Sequence, residues 1–328
     1  MSSDTNPSQH PGWRKSNLLG TLAQRSRLVG GAAVIIASLG IGAVVGQQYK
    51  SRPQGSDVAF PTKALLGMSA PAGTWSQRVS EVGPGLQARR IFVGSFTGSL
   101  SLATTACNAN MRPVLSFKEG SYSWADIAAG RADTQLQALH TKLVALPCAV
   151  YATIHHEPSS GASNHLAGEN GSAAQYASAM AHAFPILGGT IIDPEVQVGP
   201  IGNGWWFNTK GGLSDAELKV WVSPSVLAAS DFVASDTYQG KATAETVASK
   251  IKRMGAWARR VGTSVRGLGL GEFNMQTAQG VTDALAALGS DPLFVFGCLW
   301  NANGTGSANA RVLTGDKLKA FQVGLANW

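Results

Sequence analysis

Two glutamates stand 115 positions apart, each closing an apolar run. Glu157 lies in Ala149-Val150-Tyr151-Ala152-Thr153-Ile154-His155-His156-Glu157-Pro158, and Glu272 in Gly267-Leu268-Gly269-Leu270-Gly271-Glu272-Phe273-Asn274. Short apolar runs that stop at an acid predict buried strands handing over to loops. Two carboxyl groups meeting across one cleft have the chemistry to cleave a glycosidic bond, one as proton donor and the other as nucleophile or base. A nucleophilic serine is disfavoured, because no Gly-x-Ser-x-Gly elbow occurs. No Cys/His spacing suits zinc. The carboxylate chemistry needs neither metal nor cofactor, and none is expected.

Asp193-Pro194-Glu195 is a rival acidic cluster, expected at the end of the fifth strand. Its Asp-x-Glu spacing suits a muramidase- or chitinase-like hydrolase, or leaves Glu195 to bind a substrate hydroxyl. Lys118-Glu119, after the third strand, reads as a surface ion pair beside the cleft. Trp205-Trp206-Phe207 follows Gly202-Asn203-Gly204 in a stretch expected to be an exposed loop. There Trp205 and Trp206 are candidate sugar platforms, since an aromatic face suits the C–H side of a pyranose ring.

The elements that must position these groups alternate along the chain. Strand signals begin near Ala64, Arg89, Arg112, Cys148, Thr190, Asp231, Arg266 and Pro292, each short, apolar and bounded by Gly, Pro or Asp. Helical patterns lie between them. Over 132–146 the residues Leu136, Leu139, Leu143 and Leu146 share one side. Over 244–261 Val247, Ile251, Met254 and Ala258 face inward, with Lys250, Lys252, Arg253, Arg259 and Arg260 toward solvent. Eight strand–helix units over 61–328 predict a (β/α)8 TIM barrel of the α/β class, whose functional groups collect at the C-terminal rim of the strands. An open doubly wound sheet is the alternative, but Gly267-Leu268-Gly269-Leu270-Gly271 lacks the helix-opening arrangement of a dinucleotide site.

The formal charge of +7 is concentrated at the N-terminus. Arg14, Lys15, Arg25, Arg27, Lys50 and Arg52 face Asp4 alone in residues 1–56, so the remainder is nearly balanced and predicts no nucleic-acid binding. Residues 28–46 carry no charge over a length that spans a bilayer. With the flanking arginines they predict a transmembrane signal anchor after a disordered cytoplasmic tail (1–27), followed by a linker (47–60) and a monomeric extracellular domain. Cleavage would instead secrete the domain. In that compartment Cys107 and Cys148, at the bottom of neighbouring strands, are expected to form a disulfide, with Cys298 a buried small hydrophobe.

On these residues the sequence resembles the retaining glycoside hydrolases of clan A, barrels that carry an acid/base glutamate after strand four and a nucleophile after strand seven. The His156-Glu157 pair is most similar to glycoside hydrolase family 26, the β-mannanase-like family. The resemblance implies Glu157 as acid/base and Glu272 as nucleophile; beside the acid, His155 and His156 are candidates to orient Glu157 or bond substrate hydroxyls, His156 the stronger of the two. The resemblance also implies Tyr238 contacting the nucleophile and Trp300 flooring the sugar subsite. The substrate it implies is a β-linked polysaccharide, mannan- or glucan-like; a non-catalytic carbohydrate-binding barrel is the other reading. Pro158 and Ser159 depart from the Met and Asn that usually follow the acid/base in family 26.

Overall fold

The apolar runs become parallel strands in the computed structural model, which describes residues 61–161, 164–188, 195–302 and 311–328. The strands are β1 (Leu65–Ser69), β2 (Ala88–Val93), β3 (Arg112–Phe117), β4 (Val150–Ile154), β7 (Val196–Val198), β8 (Ile201–Asn203), β9 (Val233–Tyr238), β10 (Leu268–Asn274) and β11 (Phe294–Trp300). A small antiparallel hairpin, β5 (Ala167–Gly168) and β6 (Gly171–Ser172), follows β4. The large sheet runs β7-β4-β3-β2-β1-β11-β10-β9-β8, every pair parallel.

The two ends of that order are halves of one strand position. Only Gly199 and Pro200 separate β7 from β8, and Pro200 has no N–H to give a ladder. Backbone bonds continue on both sides of the break: Gly199 N to Ala152 O (3.2 Å), Asp231 N to Val198 O (2.7 Å) and Ala234 N to Pro200 O (2.8 Å). A Cβ on Gly199 would sit 1.9 Å from Phe232 O, so only glycine permits this approach. The sheet therefore closes into a barrel of eight strand positions.

Aromatics fill the barrel below the rim. Tyr151, Phe232 and Phe296 meet with centroids 4.6–5.6 Å apart, packed with Val114, Ile201 and Cys298. Helices cover the outside and bury the stripes expected of them. Leu136, Leu139 and Leu143 are buried on the helix Asp133–Val144, as are Val247, Ile251, Met254 and Ala258 on Val247–Val261. Lys250 departs from its expected solvent face: it is buried, and its Nζ donates to Tyr238 O at 3.0 Å. Its long stem spans the helix–sheet gap and the ammonium satisfies a strand-end carbonyl.

Strand five differs from the expectation. The run at Thr190 lies outside the described residues, and the strand begins at Val196. Among the described residues no helix is long and apolar enough to cross a membrane. The expected tail, anchor and linker at 1–60 lie outside them.

A disulfide joins Cys107 to Cys148 across 41 positions. Replacing both by serine frees a loop of that length in the unfolded chain, with an expected loss of about 4 kcal/mol on the chain-entropy account. Chemical denaturation of the double variant measures it; an unchanged midpoint would refute this.

Candidate active site

Nearly every strand position sends a polar or aromatic side chain to the C-terminal rim. Ser69 closes β1, Arg90 and Phe92 come from β2, and Ser116 from β3. Glu157 follows β4, Asp236 and Tyr238 come from β9, Glu272 from β10, and Trp300 closes β11. The register slips between Leu270 and Glu272, where Glu272 pairs with Asp236. Such an irregularity re-aims a side chain, and here it lies at the nucleophile candidate. A Cβ on Gly271 would meet Asp236 Oδ1 at 2.3 Å, so the slip needs glycine beside that carboxyl.

Glu272 is buried and takes two hydrogen bonds. The Tyr238 hydroxyl donates to its Oε2, and Ser69 Oγ donates to its Oε1 at 3.1 Å. Burial pushes its carboxyl above the ordinary value, opposed by the Arg90 charge, by those two bonds and by Arg311. Glu157 is raised to about 7, first by burial and next by the charge of Glu272, with Arg90 and Arg311 opposing. Asp236 is fully buried with Arg90 Nη2 3.9 Å away; burial, then the Glu272 charge, drive its carboxyl well above the usual range. Three carboxyls in one pocket do not all ionise. Glu272 has two hydroxyl donors aimed at it, which favours the charge there over Asp236 and Glu157. A protonated and an ionised carboxyl in one cleft can deliver a proton to a leaving oxygen and attack the carbon it leaves.

Around the pair, His156 donates to or accepts from Ser116 Oγ through Nδ1 at 2.8 Å. Burial, then the charges of Arg90, Lys118 and His155, hold it well below its usual pKa, so the ring is neutral near pH 7. Phe92, 43% exposed, stands 5.0 Å from the His156 ring and 6.2 Å edge-on from Trp300. Arg311 stacks on Tyr238 at 3.7 Å. His156, Glu157 and Asp236 also present possible ligand atoms within 4.8 Å of one another, but the Arg90 guanidinium beside Asp236 opposes a cation there.

Removing the Tyr238 hydroxyl takes one hydrogen bond from Glu272. A hydrogen bond to a charged group contributes about 1.5–3 kcal/mol. Tyr238→Phe is therefore expected to raise the Glu272 pKa further. With Glu272 as the attacking carboxylate, the ascending limb of a pH–rate profile would move upward; an unmoved limb would contradict that role.

Several expectations need correction. Trp206 and Phe207 are fully buried, not exposed, and Trp206 Nε1 donates to Ser159 Oγ at 2.8 Å while packing on Trp221. Trp206 is therefore core, because the loop folds as a short helical turn, Gly204–Phe207, against the barrel. Trp205 is half-buried, with its ring 5.1 Å from the His165 ring. Glu195 is exposed and precedes β7, with its carbonyl accepting from Val150 N at the start of β4. It thus marks the bottom of strand five, the opposite end from Glu157 and Glu272; Asp193 lies outside the described residues. Glu119 is not a surface partner of Lys118 but buried against His155, 2.7 Å from Nδ1.

The sequence reading missed Ser69, Arg90, Phe92, Ser116 and Asp236. One signal was available: Arg89-Arg90 interrupts an apolar strand, and a charge in a buried strand must face a partner.

No protein-family model matches the chain, and neither does any curated protein. Solved structures do. A fungal β-1,4-galactanase aligns at TM-score 0.60 and 13% identity over 80% of this chain and 98% of its own. A ruminal GH26 endo-β-1,4-mannanase aligns at 0.56 and 10% over 83% and 67%, and an endo-β-1,4-mannanase double mutant from Cellulomonas fimi at 0.55 and 14% over 81% and 71%. At these identities the likeness is one of fold: this chain has the curled parallel-strand barrel that the galactanase and the mannanases have.

Proposed function

We propose that this protein is a retaining glycoside hydrolase acting on a β-linked polysaccharide, with Glu157 as acid/base and Glu272 as nucleophile. The observation that carries the reading is the division of labour within one pocket. Glu157 is raised to about 7 by burial and by its neighbour's charge, while Glu272 accepts bonds from Tyr238 and Ser69. In the first step Glu157 gives its proton to the leaving oxygen as Glu272 attacks the anomeric carbon. In the second Glu157 takes a proton from water, which displaces Glu272. Phe92 and Trp300 offer apolar faces to the sugar ring. The galactanase and mannanases of like fold act on β-1,4 linkages, which supports mannan, galactan or glucan as the class to test.

The same reading puts the barrel outside the cell behind an anchor at 28–46. The Cys107–Cys148 disulfide supports an oxidising compartment.

Reducing-sugar release by the full chain across β-1,4-mannan, β-1,4-galactan, β-glucan and xylan tests the proposal. Release from at least one supports it. Tight binding without release from any would make the barrel a carbohydrate-binding module.

A further inference from the structure

His155 and Glu157 both carry positive φ, 50° and 53°. A non-glycine residue in that region costs on the order of 1 kcal/mol or more, so the surroundings must hold the turn. The side chain of His155 supplies the hold. It is 3% exposed, with Nδ1 2.7 Å from both carboxylate oxygens of Glu119 and Nε2 2.9 Å from Glu169 Oε2. Carboxyl oxygens thus stand at both ring nitrogens and fix the plane of the imidazole between the two acids.

The two carboxylates are themselves fixed. Asn170 Nδ2 donates to Glu119 Oε1 at 2.6 Å and to Tyr122 O at 3.0 Å. Lys118 Nζ reaches Glu169 Oε2 at 3.3 Å, and Glu169 N donates to Pro158 O at 2.9 Å. The edge of Trp124 closes the remaining side, with centroids 5.3 Å apart. Burial pushes Glu119 up, but the bond and charge of His155 outweigh it and hold that carboxyl below its usual range. Two acids and two bases thus tie the loop after β3, the turn after β4 and the β5–β6 hairpin into one body. Glu272 takes its bonds from Tyr238 and Ser69, on other strands.

We propose that His155, clamped between Glu119 and Glu169, is a positioning residue for Glu157: it holds the left-handed turn that presents that carboxyl to the cleft. The inference rests on the acid/base role given to Glu157 above. The clamp acts on one partner of the pair, so its loss harms proton delivery and spares nucleophilic attack.

The test compares the full-chain wild type with His155→Gln and Glu119→Gln on two substrates. One is β-1,4-mannan, whose leaving oxygen needs a proton. The other is 2,4-dinitrophenyl β-mannobioside, whose leaving group departs without one; the matching galactan pair serves if wild type prefers it. For His155→Gln, kcat/KM on the polysaccharide is expected to fall about 100-fold, the scale of a misplaced catalytic group. On the aryl glycoside it should fall less than about threefold. Glu119→Gln, which keeps an acceptor, should show a smaller loss with the same split. Equal losses on both substrates, or no loss, would overturn the positioning role.

Amide hydrogen exchange reads the clamp without turnover. In both variants the Glu157 and Glu169 amides, bonded to Ile201 O and Pro158 O, should exchange about tenfold faster or more, with β-strand amides unchanged. Unchanged exchange overturns the clamp. A wild type that cleaves neither substrate would sink the hydrolase reading, leaving the clamp to be judged by exchange alone.

Discussion

Glu272→Gln is expected to lose turnover by about 10⁴-fold or more while the protein stays folded, the scale seen when a nucleophile is removed. The amide keeps the shape of the side chain and one carbonyl oxygen for Tyr238 or Ser69, whose hydroxyls flank it in the wild type. What disappears is the charge that attacks the anomeric carbon and that raises Glu157 from across the cleft. Glu157 should therefore titrate lower in this variant than about 7, since the neighbouring charge has gone while burial remains. Reducing-sugar release measures the first effect and carbon NMR of labelled glutamate the second. A variant retaining a tenth of wild-type turnover would remove Glu272 from the mechanism.

Glu157→Gln is expected to be nearly inactive on polysaccharide and, above pH 7, more stable than wild type. General acid–base groups contribute roughly 10²–10⁴-fold to rate, and the loss should approach the upper end for a poor leaving group. The stability effect follows from the raised pKa. A carboxyl at about 7 when folded and near the ordinary 4.5 when unfolded binds more protons in the native state between those values. Its contribution is fully present below the unfolded pKa and is lost as pH rises through the folded one. The loss by pH 8 is on the order of a few kcal/mol, discounted for the part of the side chain that meets solvent. An uncharged glutamine does not suffer it. Thermal melts at pH 5 and pH 8 read the difference. A wild type whose melting temperature does not fall relative to the variant between these pH values would contradict the assignment. The same titration predicts that wild-type kcat/KM on polysaccharide declines above about 7, as the acid form is lost.

Both effects depend on a barrel whose strands were legible because buried parallel strands are nearly continuous apolar runs. Seven of the eight strand positions begin within two residues of the expected start, as Leu65, Ala88, Arg112, Val150, Val233, Leu268 and Phe294 attest. Strand five was not legible. Thr190-Ile191-Ile192 is more apolar than Val196-Gln197-Val198, and a break at Gly199-Pro200 hides the continuation. Misplacing that strand turned Glu195 from its bottom into its end, and with it created a rival acidic site. The aromatic run at Trp205 misled for a different reason: sequence alone does not say that a Gly-rich turn folds back, and Trp206 found its partner in Ser159 across the chain. Glu157, Glu272, Tyr238 and Trp300 were legible because each closes an apolar run. Ser69, Asp236 and Arg90 were not, because their importance lies in what they face. Ser69 reaches Glu272 from 203 positions away, and no local pattern announces it.

The hydrolase account claims that two carboxyls act in turn on the same anomeric carbon, which fixes the stereochemistry of the first product. Proton NMR of a β-linked oligosaccharide, recorded within the first turnovers and before mutarotation, reads that stereochemistry. The account predicts the β-anomer first, through two successive inversions. The α-anomer appearing first would mean that water, not Glu272, attacks the sugar, and would contradict it.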